Sequence, residues 1–232
     1  LKELKLPVEN KHPCFILVNP QMGENIGASA RGMWNFGIDR MRIVSPRDGW
    51  PNQKAVAMAS GAGRLLDEAL IFQNFTDAIA DQHFIFATTA RPRDLIKPIY
   101  SPEEAVELAY DKISKGQNVG FAFGPERSGL ENSDIIKANA IVSVPVNEQF
   151  PSLNLAQCVL LLAYEWMLKS SKLSDDQADI EQPDMVTAMQ VQKLSKYFES
   201  TLEEVGFFYP EDKMESMKIN FRNMWSRMPL TN

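Results

Sequence analysis

Val119-Gly120-Phe121-Ala122-Phe123-Gly124-Pro125-Glu126-Arg127-Ser128-Gly129-Leu130 sets the frame for the whole chain. Val119 to Phe123 is an apolar run too short for a helix and stopped by Gly-Pro, so it reads as a buried strand. The loop after it holds two glycines and a proline, a rigid connection with exposed backbone N–H groups. Working outward, Cys14-Phe15-Ile16-Leu17-Val18 repeats the pattern and ends at the turn signal Asn19-Pro20. Further strands are expected at 42–44, 71–72, 84–87 and 141–144. Helices are expected between them. Residues 28–36 form one, closed by Gly37 at C′. Residues 55–70 form another, weakened by Gly61 and Gly63. A helical fragment is expected at 77–80, and a long apolar helix at 155–169. Ser101-Pro102-Glu103-Glu104 has the N-cap, N1 proline and N3 glutamate of a capping box, for a helix that Gly116 closes. Alternating strands and helices predict an α/β fold, a mostly parallel sheet with helices on both faces. Active sites of such sheets lie beyond the carboxyl ends of the strands, here loops 19–27, 88–93, 124–129 and 146–154.

The domain plan follows from composition. Residues 1–170 read as one α/β domain, 171–184 as a linker and 185–232 as a helical extension. The linker is acidic, with Asp175, Asp176, Asp179, Glu181 and Asp184, and is interrupted by Pro183. In the extension, Leu194, Tyr197, Phe198, Thr201, Leu202 and Val205 recur at helical spacing, so its stripe needs a surface to cover it. No apolar run is long enough for a membrane span, and no signal peptide opens the chain. Leu1 in place of Met reads as a few missing native residues. Cys14 and Cys158 are isolated within apolar runs, which suggests small buried hydrophobes in a reducing, cytoplasmic setting. His12 and His83, the only histidines, read as strand-end decoration, so no metal is expected. The net charge is −6, yet residues 31–97 carry nine Lys/Arg (among them Arg42 and Lys97) against seven acids. RNA affinity needs a local positive face rather than a positive total; scattered solubilising cations are the plainer reading.

Three loops could carry chemistry. Asn25-Ile26-Gly27-Ala28 lets a helix N-terminus approach a backbone or a phosphate, with Arg31 one turn into the helix. Loop 124–129 offers backbone groups to an adenine or ribose, with Glu126 and Arg127 beside them. Pro151-Ser152-Leu153-Asn154 opens the apolar helix, where simple N-capping by Ser152 or Asn154 is the plain alternative. Neither GxGxxG nor GxxxxGK[ST] is present, which argues against dinucleotide and P-loop enzymes.

Together and in this order, NIGASARGMWNFG (25–37), VGFAFGPERSGL (119–130) and PSLNLAQCVLLLAYEW (151–166) resemble the three motifs of the SpoU/TrmH branch of the SPOUT methyltransferases. Ala57 to Ala62, Thr88 to Arg91, Glu204 to Phe208 and Asn220 to Trp225 are similar to its TrmJ subgroup. The resemblance implies a C-terminal trefoil knot, unusual among folds, a homodimer with shared active sites, and S-adenosylmethionine (SAM) as cofactor. It implies 2′-O-methylation of tRNA ribose at nucleotide 32, a cytidine or uridine. A ribosomal RNA target and a non-catalytic RNA-binding relative are the alternatives. By matching position, the cofactor contacts would be Thr88, Thr89, Ala90, Gly124, Val144, Pro151, Ser152 and Leu153. Arg31 would be the catalytic arginine, supported by Asn25, Glu126, Ser152 and Asn154. Pro151 departs from the small polar residue of close relatives.

Overall fold

The computed structural model describes residues 11–89, 97–171, 185–228, 230 and 231. Ala90, Arg91 and Arg93, and the linker from residue 172 to 184, lie outside the described residues. Seven strands form one sheet: β1 (Cys14–Val18), β2 (Arg40–Val44), β3 (Leu70–Phe72), β4 (Phe84–Thr88), β5 (Ile99–Tyr100), β6 (Val119–Phe123) and β7 (Ala140–Val142). Their order is β3-β2-β1-β6-β4-β7-β5, and every pairing is parallel.

Strand alternation builds two cores. Phe15 and Leu17 of β1 face one side with Phe86, Phe121 and Phe123, while Cys14, Ile16 and Val18 face the other with Ile85, Ala87 and Ala122. Both faces are apolar because both are covered, as parallel sheets require. Helices α1 (Gly23–Asn35), α2 (Gln53–Ala59), α3 (Gly63–Asp67), α5 (Pro102–Ser114) and α7 (Leu155–Ser171) contribute to the first core. The short α4 (Phe75–Ala78) and α6 (Asn132–Ile135) contribute to the second. Phe86 stacks on Phe121 at 4.8 Å with the rings 10° apart, locking β4 to β6 at the sheet centre.

Several expectations need correction. Helix α1 begins at Gly23 rather than residue 28, so Asn25 to Gly27 belong to the helix and Arg31 lies about two turns in. The close approach expected there is real: a Cβ on Gly27 would sit 2.1 Å from the Ala55 carbonyl oxygen, so only glycine lets α1 and α2 meet. The helix expected over 55–70 breaks at Ser60, whose φ is +51°, and a 3₁₀ turn separates α2 from α3. Strand β5 and helix α6 were not anticipated; at two and four residues, neither carries a readable period.

Two of the cations counted towards a basic surface are interior. Arg42 is 5% exposed and donates to the Ala78 carbonyl and to both oxygens of Asp81. Lys97 is 7% exposed. Its ammonium donates to the carbonyls of Ile136 and Ala138 and to Ser226 Oγ. Burial, with Arg227 nearby, pushes the Lys97 amine down to about 7.

Ser226 belongs to α9 (Met214–Arg227), which packs with α8 (Ala188–Glu204) as the helical extension. Both expected helices are there. The extension docks by Ala188 N on the Gln82 carbonyl (2.7 Å), by Lys97, and by Asn139 Nδ2 on the Ser226 carbonyl (2.7 Å). Phe198, Trp225, Phe221 and Phe208 form a chain of aromatic contacts that joins its helices, with Phe208 buried.

Burial pushes the Asp81 carboxyl upward, but the Arg42 hydrogen bonds outweigh this and hold it at about 2. An unfolded aspartate titrates near 3.9. The pair therefore stabilises the fold above about pH 4, and that contribution is lost as pH falls toward about 2. Asp81→Asn should cost about 1–2 kcal/mol at pH 7 and flatten that acid limb. Thermal denaturation across pH 2–7 of both proteins checks this; identical curves would remove the pair from the account.

Candidate active site

The three motifs meet at the carboxyl end of the sheet. A cleft of about 260 Å³ is lined there by residues after β4, β6 and β7 and by the start of α7. Of the expected cofactor contacts, Thr88, Thr89, Gly124, Val144, Pro151, Ser152 and Leu153 line it, and Ala90 lies outside the described residues. Matching by motif missed Phe123, Val142 and Val146, which make apolar wall. It also missed Cys158, whose thiol burial pushes up to about 11 against a Thr88 hydrogen bond. The alternation of the β7 region could have found Val142 beside Val144.

Loop geometry explains the floor. A Cβ on Gly124 would lie 2.1 Å from Leu130 N and 2.3 Å from the Gly129 carbonyl carbon. The loop folds back on itself, closed by Gly129 N donating to the Pro125 carbonyl at 2.8 Å with Gly129 at φ +67°. Thr88 spends its hydroxyl on the Ala122 carbonyl at 2.9 Å, and Thr89 N bonds the Val142 carbonyl at 3.0 Å. Strands β4, β6 and β7 are thus tied at the ends that form the cleft.

A second set of bonds fastens the three motifs to one another. Glu126 lines the cleft, and its Oε2 accepts from Gln21 N at 2.8 Å. Its Oε1 accepts from Met22 N at 3.2 Å and from Asn25 Nδ2 at 2.7 Å. Asn25, 8% exposed, in turn accepts from Asn154 Nδ2 at 2.9 Å. Asn154 Oδ1 accepts from Ala156 N and Gln157 N, so it also caps α7. Capping and site-building are thus one arrangement. Asn25 and Asn154 reach the cleft through Glu126, and Ser152 lines it directly. Arg31 is exposed on α1 and is not among the residues lining the cleft.

Residues 13–164 match the SpoU rRNA Methylase family. This chain belongs to the SpoU methylase family. A tRNA (cytidine/uridine/adenosine-2′-O-)-methyltransferase TrmJ of Pseudomonas aeruginosa is 30% identical over 93% of this chain and 86% of its own length. The tRNA (cytidine-2′-O-)-methyltransferase TrmJ of Methanocaldococcus jannaschii is 32% identical over 91% and 90%. The crystal structure of TrmJ from Z. mobilis ZM4 superposes with a TM-score of 0.83 at 40% identity, over 95% of this chain and 92% of that one. The SpoU methyltransferase AviRb of Streptomyces viridochromogenes, solved with AdoMet, shares the fold at 18% identity and a TM-score of 0.56, over 73% and 61%. Among the described residues, no helix is long and apolar enough to cross a membrane, and no three His, Cys, Asp or Glu gather as a metal set.

Removing the Glu126 carboxylate strands three donors from α1 and the segment before it. Glu126→Ala should lower stability by about 3 kcal/mol, with Glu126→Gln intermediate because it keeps one acceptor oxygen. Urea denaturation midpoints would show it; wild-type midpoints in both variants would mean that the motifs are held by packing alone.

Proposed function

We propose that this chain is a SAM-dependent tRNA 2′-O-ribose methyltransferase, acting on a cytidine or uridine at nucleotide 32 of the anticodon loop. The observation that carries the reading is the convergence of all three SpoU motifs on one cleft, fastened by the Asn154–Asn25–Glu126 chain. The two TrmJ relatives, both named as tRNA 2′-O-methyltransferases, support tRNA over ribosomal RNA. The chain is read as cytoplasmic, with residues 1–170 as the knotted catalytic domain, 171–184 as a linker and 185–232 as the extension.

The cleft suits SAM. Phe123, Val142, Val144 and Leu153 give apolar walls, and the Gly124 loop presents backbone where any Cβ would collide. Thr88, Thr89, Ala90, Gly124, Val144, Pro151, Ser152 and Leu153 would hold the cofactor. When bound, SAM supplies a methyl group on a positively charged sulfur. The apolar walls exclude water around the reacting atoms. Both Glu126 oxygens are already accepting hydrogen bonds, so this residue positions α1 and is not the proton acceptor. The Arg31 guanidinium carries hydrogen-bond donors in a fixed fork. It orients an RNA phosphate and stabilises the developing alkoxide, and the 2′-hydroxyl proton leaves to that phosphate or to water.

Arg31 is exposed on α1, and α1 packs against α7, which carries an apolar face. Leu160, Leu161, Tyr164 and Met167 are 38–46% exposed there, and Trp34 of α1 is 45% exposed. Tyr164 packs on Phe36 at 5.6 Å, and Leu160 fits against Gly32. Such a patch suits a second copy of the chain. The active form would then be a homodimer in which Arg31 of one copy serves the cleft of the other.

Incubation with labelled SAM and unmodified bulk tRNA should place label in 2′-O-methylcytidine or 2′-O-methyluridine. Label in ribosomal RNA alone would overturn the tRNA assignment. Arg31→Ala should lower kcat by about 10²–10³-fold with SAM affinity retained; unchanged turnover would remove Arg31 from the mechanism. Gly124→Ala should weaken SAM binding by about tenfold or more, the effect of a clash costing over ~1.4 kcal/mol. Calorimetry reads this directly, and wild-type affinity would place the cofactor elsewhere.

A further inference from the structure

A larger cavity, about 650 Å³, opens between the helical extension and the amino-terminal end of the sheet. It is not the methyl-transfer cleft. His83, just before β4, lines the cavity, and Thr88, at the other end of β4, lines the cleft. Five residues of extended chain separate them by about 17 Å. One wall comes from Ile79, Ile136 and Asn139, the other from Val191 and Ser195 of α8 and Ile219 and Trp225 of α9.

Two residues lining this cavity carry a buried polar atom with no hydrogen-bond partner among the described residues: Ser195 Oγ and Trp225 Nε1. Ser195 is 6% exposed, so its hydroxyl is removed from bulk water. Native structures satisfy nearly all such groups, so two orphans sharing one cavity point to a ligand carrying acceptor atoms. The charges narrow its class. Arg222 is committed to Glu199 and Glu215. Lys137 pairs with Asp134 at 3.8 Å, whereas Lys196 is exposed, which leaves one lysine able to receive an anion. Apolar walls, an indole N–H, a hydroxyl and one available lysine match a planar heterocycle bearing acceptors and a negative group. The volume lies within the roughly 300–1,000 Å³ of small-ligand sites.

We propose that this cavity binds a nucleotide, its base against Trp225 and Ser195 and its phosphate against Lys196. The nucleotide is either an unpaired unit of the RNA substrate or a free mononucleotide; the first source rests on the RNA function proposed above, the second does not.

The test is tryptophan indole NMR on the full chain, with the Trp225 signal assigned by its loss in Trp225→Phe. Uridine, cytidine, adenosine and guanosine 5′-monophosphates and a short unstructured oligoribonucleotide are titrated separately, with SAM binding as the fold control. The Trp225 signal should shift saturably. Trp225→Phe, which removes the orphan donor and keeps an aromatic ring, should still unfold cooperatively and bind SAM like the wild type. Monophosphate affinity, followed in this variant by calorimetry, should fall by about fivefold, as for one lost hydrogen bond. Ser195→Met, which fills the cavity, and Lys196→Glu should weaken binding similarly. Tighter binding of the oligonucleotide than of any monophosphate assigns the site to RNA; binding of monophosphates alone assigns it to a free nucleotide. No shift with either, in protein that still binds SAM, overturns the proposal. The monophosphate titration needs no methyl transfer. A shifted Trp225 in protein that methylates no RNA would therefore overturn the RNA reading and leave the cavity's ligand class standing.

Discussion

One carboxylate connects three parts of the chain that are far apart in sequence. Glu126 accepts from Gln21, Met22 and Asn25, roughly a hundred residues away, while Asn25 takes a hydrogen bond from Asn154 on the other side. Each bond alone is worth about 1 kcal/mol net. Their consequence exceeds that, because leaving Glu126 without its donors would strand a charge at the rim of an apolar cleft. The loop after β6 is therefore fixed only when α1 has its first turn in place and α7 has its cap. The cleft is a product of all three motifs or does not form.

The sheet makes that meeting geometrically possible. All seven strands are parallel, so the ends of β1, β4, β6 and β7 open on the same edge. Close approach then depends on two glycines. Gly27 lets α1 lie against the Ala55 carbonyl, and Gly124 lets loop 124–129 close on Leu130. A methyl group at either position would push apart the surfaces that carry Asn25 and Glu126.

What could be read from the sequence follows the same physics. Strands β1, β4 and β6 were legible because a five-residue apolar run flanked by turn signals has few other solutions. The capping box at Ser101 was legible because its partners lie three residues apart, and both of its hydrogen bonds form. Strand β5, at Ile99–Tyr100, was not, since its place comes from pairing with β7 forty residues on. Nor was the start of α1: Gly23 and Gly27 look like loop residues, and only contact with Asn52 and Ala55 shows why a helix wants them. Cleft-lining residues such as Gly124, Ser152 and Leu153 were anticipated by motif order. The hydrogen-bond chain among Asn25, Glu126 and Asn154 could not be, because local spacing carries no record of bonds across a hundred residues.

Charge shows most clearly where composition misleads. Arg42 and Lys97 spend their charges inside, and Arg47, Lys54 and Arg64 each pair with a neighbouring acid. Attraction to a polyanion depends on cations left uncompensated at the surface. The stretch that looked basic by count thus offers RNA less than its composition suggests, and Arg31 gains importance as an exposed cation on α1. The extension carries the other candidates. Lys196 is exposed beside the cavity whose indole and hydroxyl lack partners, and Tyr197 and Tyr209 are 67% and 79% exposed nearby in sequence. A chain with net charge −6 can bind RNA if its surplus acids lie away from the contact and a few unpaired cations remain where the substrate meets aromatic rings.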